Sequence, residues 1–395
     1  MGKMPAAALP AWLFDRRRQR VAFGLWGAVF LVFSIVSILR PEARTVLHVY
    51  RKASSAWLSG QEIYPGIDYP LPFVILFTPF ARIPLSVAEI LWRALEMGVY
   101  VGSLWRLARV VDPGPRRLFF LLSILALPAA LGSINNGQTN LLLAGAMAHA
   151  AVDWIAMRRR FAVAWLIVAV VVKPIGIVMV LLVAAADLAL VPWLAGGLLL
   201  TAAMPLLFDP WPYVVHQYQA WVADLLSIAP SGEHRFDDIN GLLRTLHVHV
   251  PPAGMLVTRA VAAVLTLAVW LAASKRFTQP RRGLTLLGLS ASYLMLFNPR
   301  TESNGYVILS HAIAAFALLV LVVEARRIGW LLVGLDAGMA NGSCGRTIWL
   351  MTKLWLKPVL ALVFFAFLIS EVWSSRSVNA VARSDSPGPP ANPRS

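Results

Sequence analysis

Gly283–Phe297, Asn298-Pro-Arg-Thr-Glu-Ser-Asn304 and Tyr306–Val323 follow one another almost without interruption. The middle stretch is a dense polar island, with Arg300 and Glu302 separated by a single residue, between two apolar runs long enough to lie in a membrane. Ionisable groups at a membrane boundary cost free energy unless they face water, a partner or a substrate, so they are functional candidates by default. The fold expected from this stretch is a bundle of apolar helices that delivers such islands to one side of a bilayer.

The totals agree. The chain has 395 residues, of which 58% are hydrophobic and 14% charged, and its mean hydropathy is +0.69. Repeated apolar runs of near-spanning length mark a polytopic membrane protein. The single cysteine, Cys344, excludes an intramolecular disulfide framework and a thiolate metal cluster. The net charge of +16 does not point to nucleic acid, because the basic residues fall in short clusters between apolar runs. Arg16–Arg20, Arg116-Arg117, Arg158–Arg160, Lys275–Arg282 and Arg326-Arg327 are spaced as cytoplasmic junctions under the positive-inside rule. Val21–Leu39 is longer than a signal-peptide core and is read as a retained first helix.

Alternating from a cytoplasmic N-terminus gives an all-α bundle of about ten to twelve transmembrane helices over residues 1–372, with 373–395 a disordered polar tail. Residues 40–81 form an extracytoplasmic first loop with short interfacial pieces, since Pro70 and Pro72 oppose a straight helix. Glu89, Arg93 and Glu96 share a helical face and are expected to pair with one another. Phe161–Leu190 reads either as one span kinked at Lys173-Pro174 or as two spans turning there. Under the second reading Lys173 joins the first loop, the island Asn135–Asn140, the loop Phe208–Pro252 and Asn298–Asn304 on the extracytoplasmic face.

Several residues on that face have the chemistry of a transfer site. Arg300 has the planar fork that suits phosphate, and Glu302 is a candidate base. Asp68, set among Tyr64, Tyr69 and two prolines, is a second candidate base, its basicity raised by desolvation. Arg51, Lys52 and Lys173 are cations where positive-inside topology disfavours them, which suits an anionic head group or phosphate. Gln138, Asn140 and Asn240 offer amides, and Tyr64 a ring, to a sugar. The competing structural accounts are a loop-pinning Arg300–Glu302 ion pair, a turn at Asp68, and an N-cap at Thr139 or Asn140. Asp237-Asp238 with His234, His247 and His249 fits no standard zinc spacing and reads as a solvated loop, so no metal is expected. No nucleotide-binding glycine loop or nucleophile elbow appears in a suitable context.

Read in order, Val49-Tyr-Arg-Lys-Ala53, Gly60-Gln-Glu-Ile-Tyr64, Leu76-Phe-Thr-Pro79, Trp92-Arg93, Gly137-Gln-Thr-Asn140, Lys173-Pro174 and Asn298-Pro-Arg-Thr-Glu302 resemble glycosyltransferase family 87. The resemblance covers roughly residues 50–320. It implies a GT-C architecture and an inverting membrane glycosyltransferase of the cell (inner) membrane, acting outside the cytoplasm. The implied donor is a polyprenyl-phosphate-linked hexose, commonly mannose, and the acceptor a lipid or glycan hydroxyl; no cofactor is implied. Family members place a catalytic aspartate just before the Tyr-x-x-Ala element, whereas Arg44–Tyr50 holds no carboxylate. Asp68, Glu62 or Glu302 would then take the role, or His48 assist, unless activity is altered or lost. The rivals from other classes are a transporter or flippase for a lipid-linked sugar and a non-catalytic cell-envelope partner.

Overall fold

The computed structural model describes residues 10–40, 45–64, 66–114, 117–227 and 236–384, with 11 and 375–384 as backbone only. Among the described residues the structure is helical, with no strand. Helix α1 (Arg16–Leu39) is followed by the first loop, which folds into three short helices, α2 (Leu47–Leu58), α3 (Leu71–Leu76) and α4 (Thr78–Ala81). Pro70 and Pro72 flank the first residue of α3, where a missing N–H costs nothing.

The chain then runs through α5 (Leu85–Val111), α6 (Phe119–Asn136), α7 (Asn140–Ile155), α8 (Arg159–Val172), α9 (Ile177–Ala186) and α10 (Val191–Ala203). Two lateral helices, α11 (Trp211–Ser227) and α12 (Ile239–Thr245), precede α13 (Pro252–Arg276), α14 (Arg281–Phe297) and α15 (Val307–Leu318). The last group is α16 (Ile328–Met339), the short α17 (Arg346–Thr352) and α18 (Leu356–Ser384). Helix α18 continues past the expected domain boundary at 372; residues 385–395 of the expected tail lie outside the described residues.

Among the described residues six helical runs, built on α1, α6, α10, α13, α15 and α18, are long and apolar enough to cross a membrane. Between them lie helices that are shorter (α7, α8, α9, α14, α16) or more charged (α5). The centre of the bundle is α7, α14 and α15, buried along nearly their whole length. By contrast α10 and α13 turn Leu199, Leu200, Leu256 and Val264 outward. An apolar exterior is what a lipid solvent selects, since hydrocarbon wets leucine as well as a protein core does.

Long-range pairs sort the helix ends onto two faces. On one, Arg106 and Arg158 both pair with Asp153, and Arg159 pairs with Asp187 at 3.0 Å. On the same face Arg281 and Arg326 share Glu324 and Glu371. The opposite ends meet around a cavity. The Arg159–Asp187 pair joins the start of α8 to the residue after α9, so Phe161–Leu190 is two antiparallel segments turning at Lys173, and the single kinked span is excluded.

Candidate functional site

A cavity of about 760 Å³ opens at the face opposite the arginine pairs. Each element reaches it by a break in its helix. Helix α6 ends at Gly137 with φ 62°, a left-handed C-cap that lets the backbone turn into α7. A Cβ there would come within 2.6 Å of Leu47. Helix α8 ends at Lys173, because Pro174 cannot donate to the ladder. Helix α14 ends at Asn298, and Arg300 sits at φ 64°, a conformation uncommon for a residue with a Cβ. Such strain persists only where surrounding contacts enforce it.

Asp68, Gln138, Asn140, Lys173, Asn240, Arg300 and Glu302 all line this cavity. Four of them form a continuous hydrogen-bonded chain. The Lys173 ammonium donates to Asn140 Oδ1 at 2.7 Å, Asn140 Nδ2 to Gln138 Oε1 at 2.9 Å, and Gln138 Nε2 to Glu302 Oε2 at 2.7 Å. Cation and carboxylate are therefore oriented by two amides, each giving and taking one bond. Arg300 and Glu302 form no ion pair with each other among the described residues.

Asp68 stands apart from this chain, and no side-chain hydrogen bond or ion pair among the described residues occupies its carboxylate. Desolvation in the cavity raises its pKa; Arg300 and Lys173 pull it down, and Asp224 and Glu302 push it up. An acid whose pKa is raised is a stronger base once ionised.

Three expected site residues lie elsewhere. The Arg51 guanidinium donates to the carbonyls of Phe80 and Ile83, at 2.8 and 2.6 Å, and so closes the end of α4. Lys52 is exposed on the outer side of α2 and does not line the cavity. Tyr64 is buried behind the wall, its hydroxyl donating to the Tyr69 carbonyl at 2.9 Å. Of the alternative bases, Glu62 bonds His216 at 2.6 Å, and neither it nor His48 lines the cavity.

Other expectations change with packing. Glu89 and Arg93 pair at 3.3 Å, but Arg93 spends its remaining donors on the carbonyls of Ile134 and Asn135 at the end of α6, and Glu96 does not join as an ion pair. Thr139 occupies the N-cap position of α7 without a capping bond; its hydroxyl meets Tyr69, which meets Tyr50. Asp237 and Asp238 are not solvated. Both are buried, and Asp238 caps α12 by accepting from Gly241 N–H at 2.8 Å. Burial raises the Asp238 pKa, and the backbone N–H of Gly241, the charge of Arg259 and the backbone of Arg300 oppose that rise. His234 lies outside the described residues.

Two cations of the cavity escaped the sequence reading, Arg244 and Arg259. Arg259 was legible in principle, being the one charge in the apolar run Ala253–Ala273, where a cation needs a reason. Arg244 had no signal beyond its polar loop. With Lys173 and Arg300 they give the cavity four cationic side chains, a surplus suited to an anionic ligand.

The family model of glycosyltransferase family 87 matches residues 68–299, and no curated protein matches the chain. The match begins at Asp68 and reaches the turn before Arg300.

Proposed function

The chain belongs to glycosyltransferase family 87 and is a membrane glycosyltransferase; from that premise we propose an inverting hexosyltransferase that uses a polyprenyl-phosphate-linked sugar, mannose being the first donor to try. The observation that carries the reading is the meeting of Asp68, Glu302, Lys173 and Arg300 in one cavity. A phosphate leaving group needs cations where its charge develops, and an attacking hydroxyl needs a base nearby.

In the proposed step an acceptor hydroxyl oxygen attacks the anomeric carbon while Asp68 takes its proton. The bond from that carbon to the phosphate oxygen breaks, and the lipid phosphate leaves with the electron pair. Arg300, Arg259 and Lys173 receive the developing negative charge. Glu302, held by Gln138, orients sugar hydroxyls together with Asn140 and Asn240. Asp68 is preferred to Glu302 as base because its carboxylate is uncommitted and its pKa is raised.

The lipid moiety has a seat beside the cations proposed to bind phosphate. An apolar groove of about 810 Å³, walled by Phe73, Phe77, Trp92, Trp165, Val172 and Met204, reaches the residue before Lys173. Its lining suits an isoprenoid chain entering from the bilayer. The positive-inside pattern supports an extracytoplasmic cavity at the cell membrane, and the reading takes a lipid or glycan as acceptor.

The rival reading, translocation of a lipid-linked sugar, draws on Glu96 and Asp336, buried within α5 and α16. The decisive experiment is turnover of a radiolabelled polyprenyl-phosphate mannose in proteoliposomes by the wild type and by Asp68→Asn and Glu302→Gln. Labelled product from the wild type and its loss in Asp68→Asn are expected. Full turnover in both variants sinks the base assignment, and movement of label across the bilayer without covalent transfer supports the rival.

A further inference from the structure

Behind the Arg300–Glu302 turn, away from the cavity, lies a buried cation the proposed chemistry does not use. Lys357 is 6% exposed and stands in the first turn of α18. The helix macrodipole disfavours positive charge at that end, so the group needs strong local partners. It has them. Its ammonium donates to both the carbonyl and the hydroxyl of Ser303, each at 2.8 Å, and sits 5.6 Å from the centroid of the Tyr306 ring.

The same knot takes in Asp237. Its carboxylate accepts from the Leu354 N–H at 3.0 Å, its N–H donates to the Thr301 carbonyl at 2.9 Å, and its carbonyl accepts from the Tyr306 hydroxyl at 2.6 Å. Leu354, like Arg300, has a positive φ, at 73°. Three segments distant in sequence are thus tied together directly behind the two residues whose side chains enter the cavity.

We propose that Lys357 is a positioning residue for transfer: through Ser303 it holds the strained Arg300–Glu302 turn so that guanidinium and carboxylate face the reacting groups. The proposal rests on the function proposed above. Lys357 touches no substrate; it acts through the turn. Misplacement of a catalytic group by about 1 Å costs up to ~100-fold in rate, so loosening this clamp lowers the rate of transfer more than donor affinity.

The test uses the full chain in nanodiscs with polyprenyl-phosphate mannose as donor probe. Lys357→Met is expected to lower kcat by about tenfold or more while donor KM changes by less than about twofold. Amide exchange across residues 301–306 is expected to quicken at the same time. A folded Lys357→Met with wild-type kcat, or with unchanged exchange in that segment, overturns the proposal. If Lys357→Met does not fold, Ser303→Ala decides: a kcat about threefold lower with unchanged KM supports the clamp, and an unchanged kcat overturns it. Should the wild type not turn the donor over at all, the proposed function fails, and the exchange measurement still judges the clamp by itself.

Discussion

Asp68 is held in the folded protein at a pKa above that of the free side chain, chiefly by desolvation. The folded state therefore binds its proton more tightly than the unfolded state does, and stability falls as pH rises through the interval between the two pKa values. Above the folded value the cost is fully present; below the unfolded value it is absent. Asp68→Asn removes that cost, so at neutral pH it is expected to raise the thermal midpoint while abolishing turnover, as read by a melting curve beside the transfer assay. The acid limb of turnover belongs to the same group. Arg300 is the largest influence lowering the Asp68 pKa, so Arg300→Gln is expected to move the limb to higher pH, apart from any loss of kcat. A limb that stays put or moves down separates Asp68 from the base role. The Lys173–Asn140–Gln138–Glu302 chain makes a third prediction: Gln138→Leu unseats Glu302 and lowers kcat/KM by about ten- to hundredfold, measured against the same donor. At this scale the residues that line the cavity were legible where polarity interrupted an apolar run, as at Lys173 and Arg300. The sequence did not separate Arg51 from these, because a helix end can absorb a cation through backbone carbonyls and nothing local distinguishes that from binding phosphate; Lys52 stays exposed away from the cavity.

Among the elements, the α8–α9 hairpin determines where Lys173 stands. Pro174 in the sequence ends a helix but does not say whether the chain continues or reverses. The reversal is written in a contact between Arg159 and Asp187, which no local pattern reveals. The two helices have 14 and 10 residues, hence lengths of about 21 and 15 Å against a hydrocarbon core of about 30 Å. The turn is sealed by Gly176, where a Cβ would lie 2.7 Å from the backbone carbonyl carbon and oxygen of Ala169. Backbone cannot yield as a side-chain tip can. Gly176→Ala is expected to cost about 1–3 kcal/mol of stability and, by displacing Lys173 from Asn140, to reduce turnover of the folded fraction as well; a variant with normal melting and turnover would show the hairpin to be looser than drawn. The loop before α12 teaches the converse. Asp237-Asp238 looked solvated in sequence because paired aspartates usually are, yet backbone N–H groups satisfy them inside the fold.

Across the whole molecule, helix ends divide by chemistry. One face carries arginines neutralised by Asp153, Asp187, Glu324 and Glu371; the other carries the cavity, whose cations Lys173, Arg244, Arg259 and Arg300 have no such ion pairs among the described residues. This division was legible from counting alternations, because each apolar run carries the chain across once and the islands therefore fall on a common side. The closure of those islands into one cavity was not, since it depends on which helices neighbour one another. Topogenic charge acts from the cytoplasm, so the arginine-rich face is expected there and the cavity opposite. Single cysteines test this in a Cys344→Ser background. Val248→Cys lies in an exposed stretch before α13, near the cavity, and Thr278→Cys in the exposed basic turn between α13 and α14. In intact cells a membrane-impermeant maleimide is expected to label Val248→Cys and to spare Thr278→Cys until the membrane is opened. Because the two positions bracket one 25-residue helix, α13, their accessibilities must be opposite if that helix crosses the bilayer. The reverse pattern would put the cavity in the cytoplasm, where a soluble nucleotide sugar rather than a lipid-linked one becomes the natural donor.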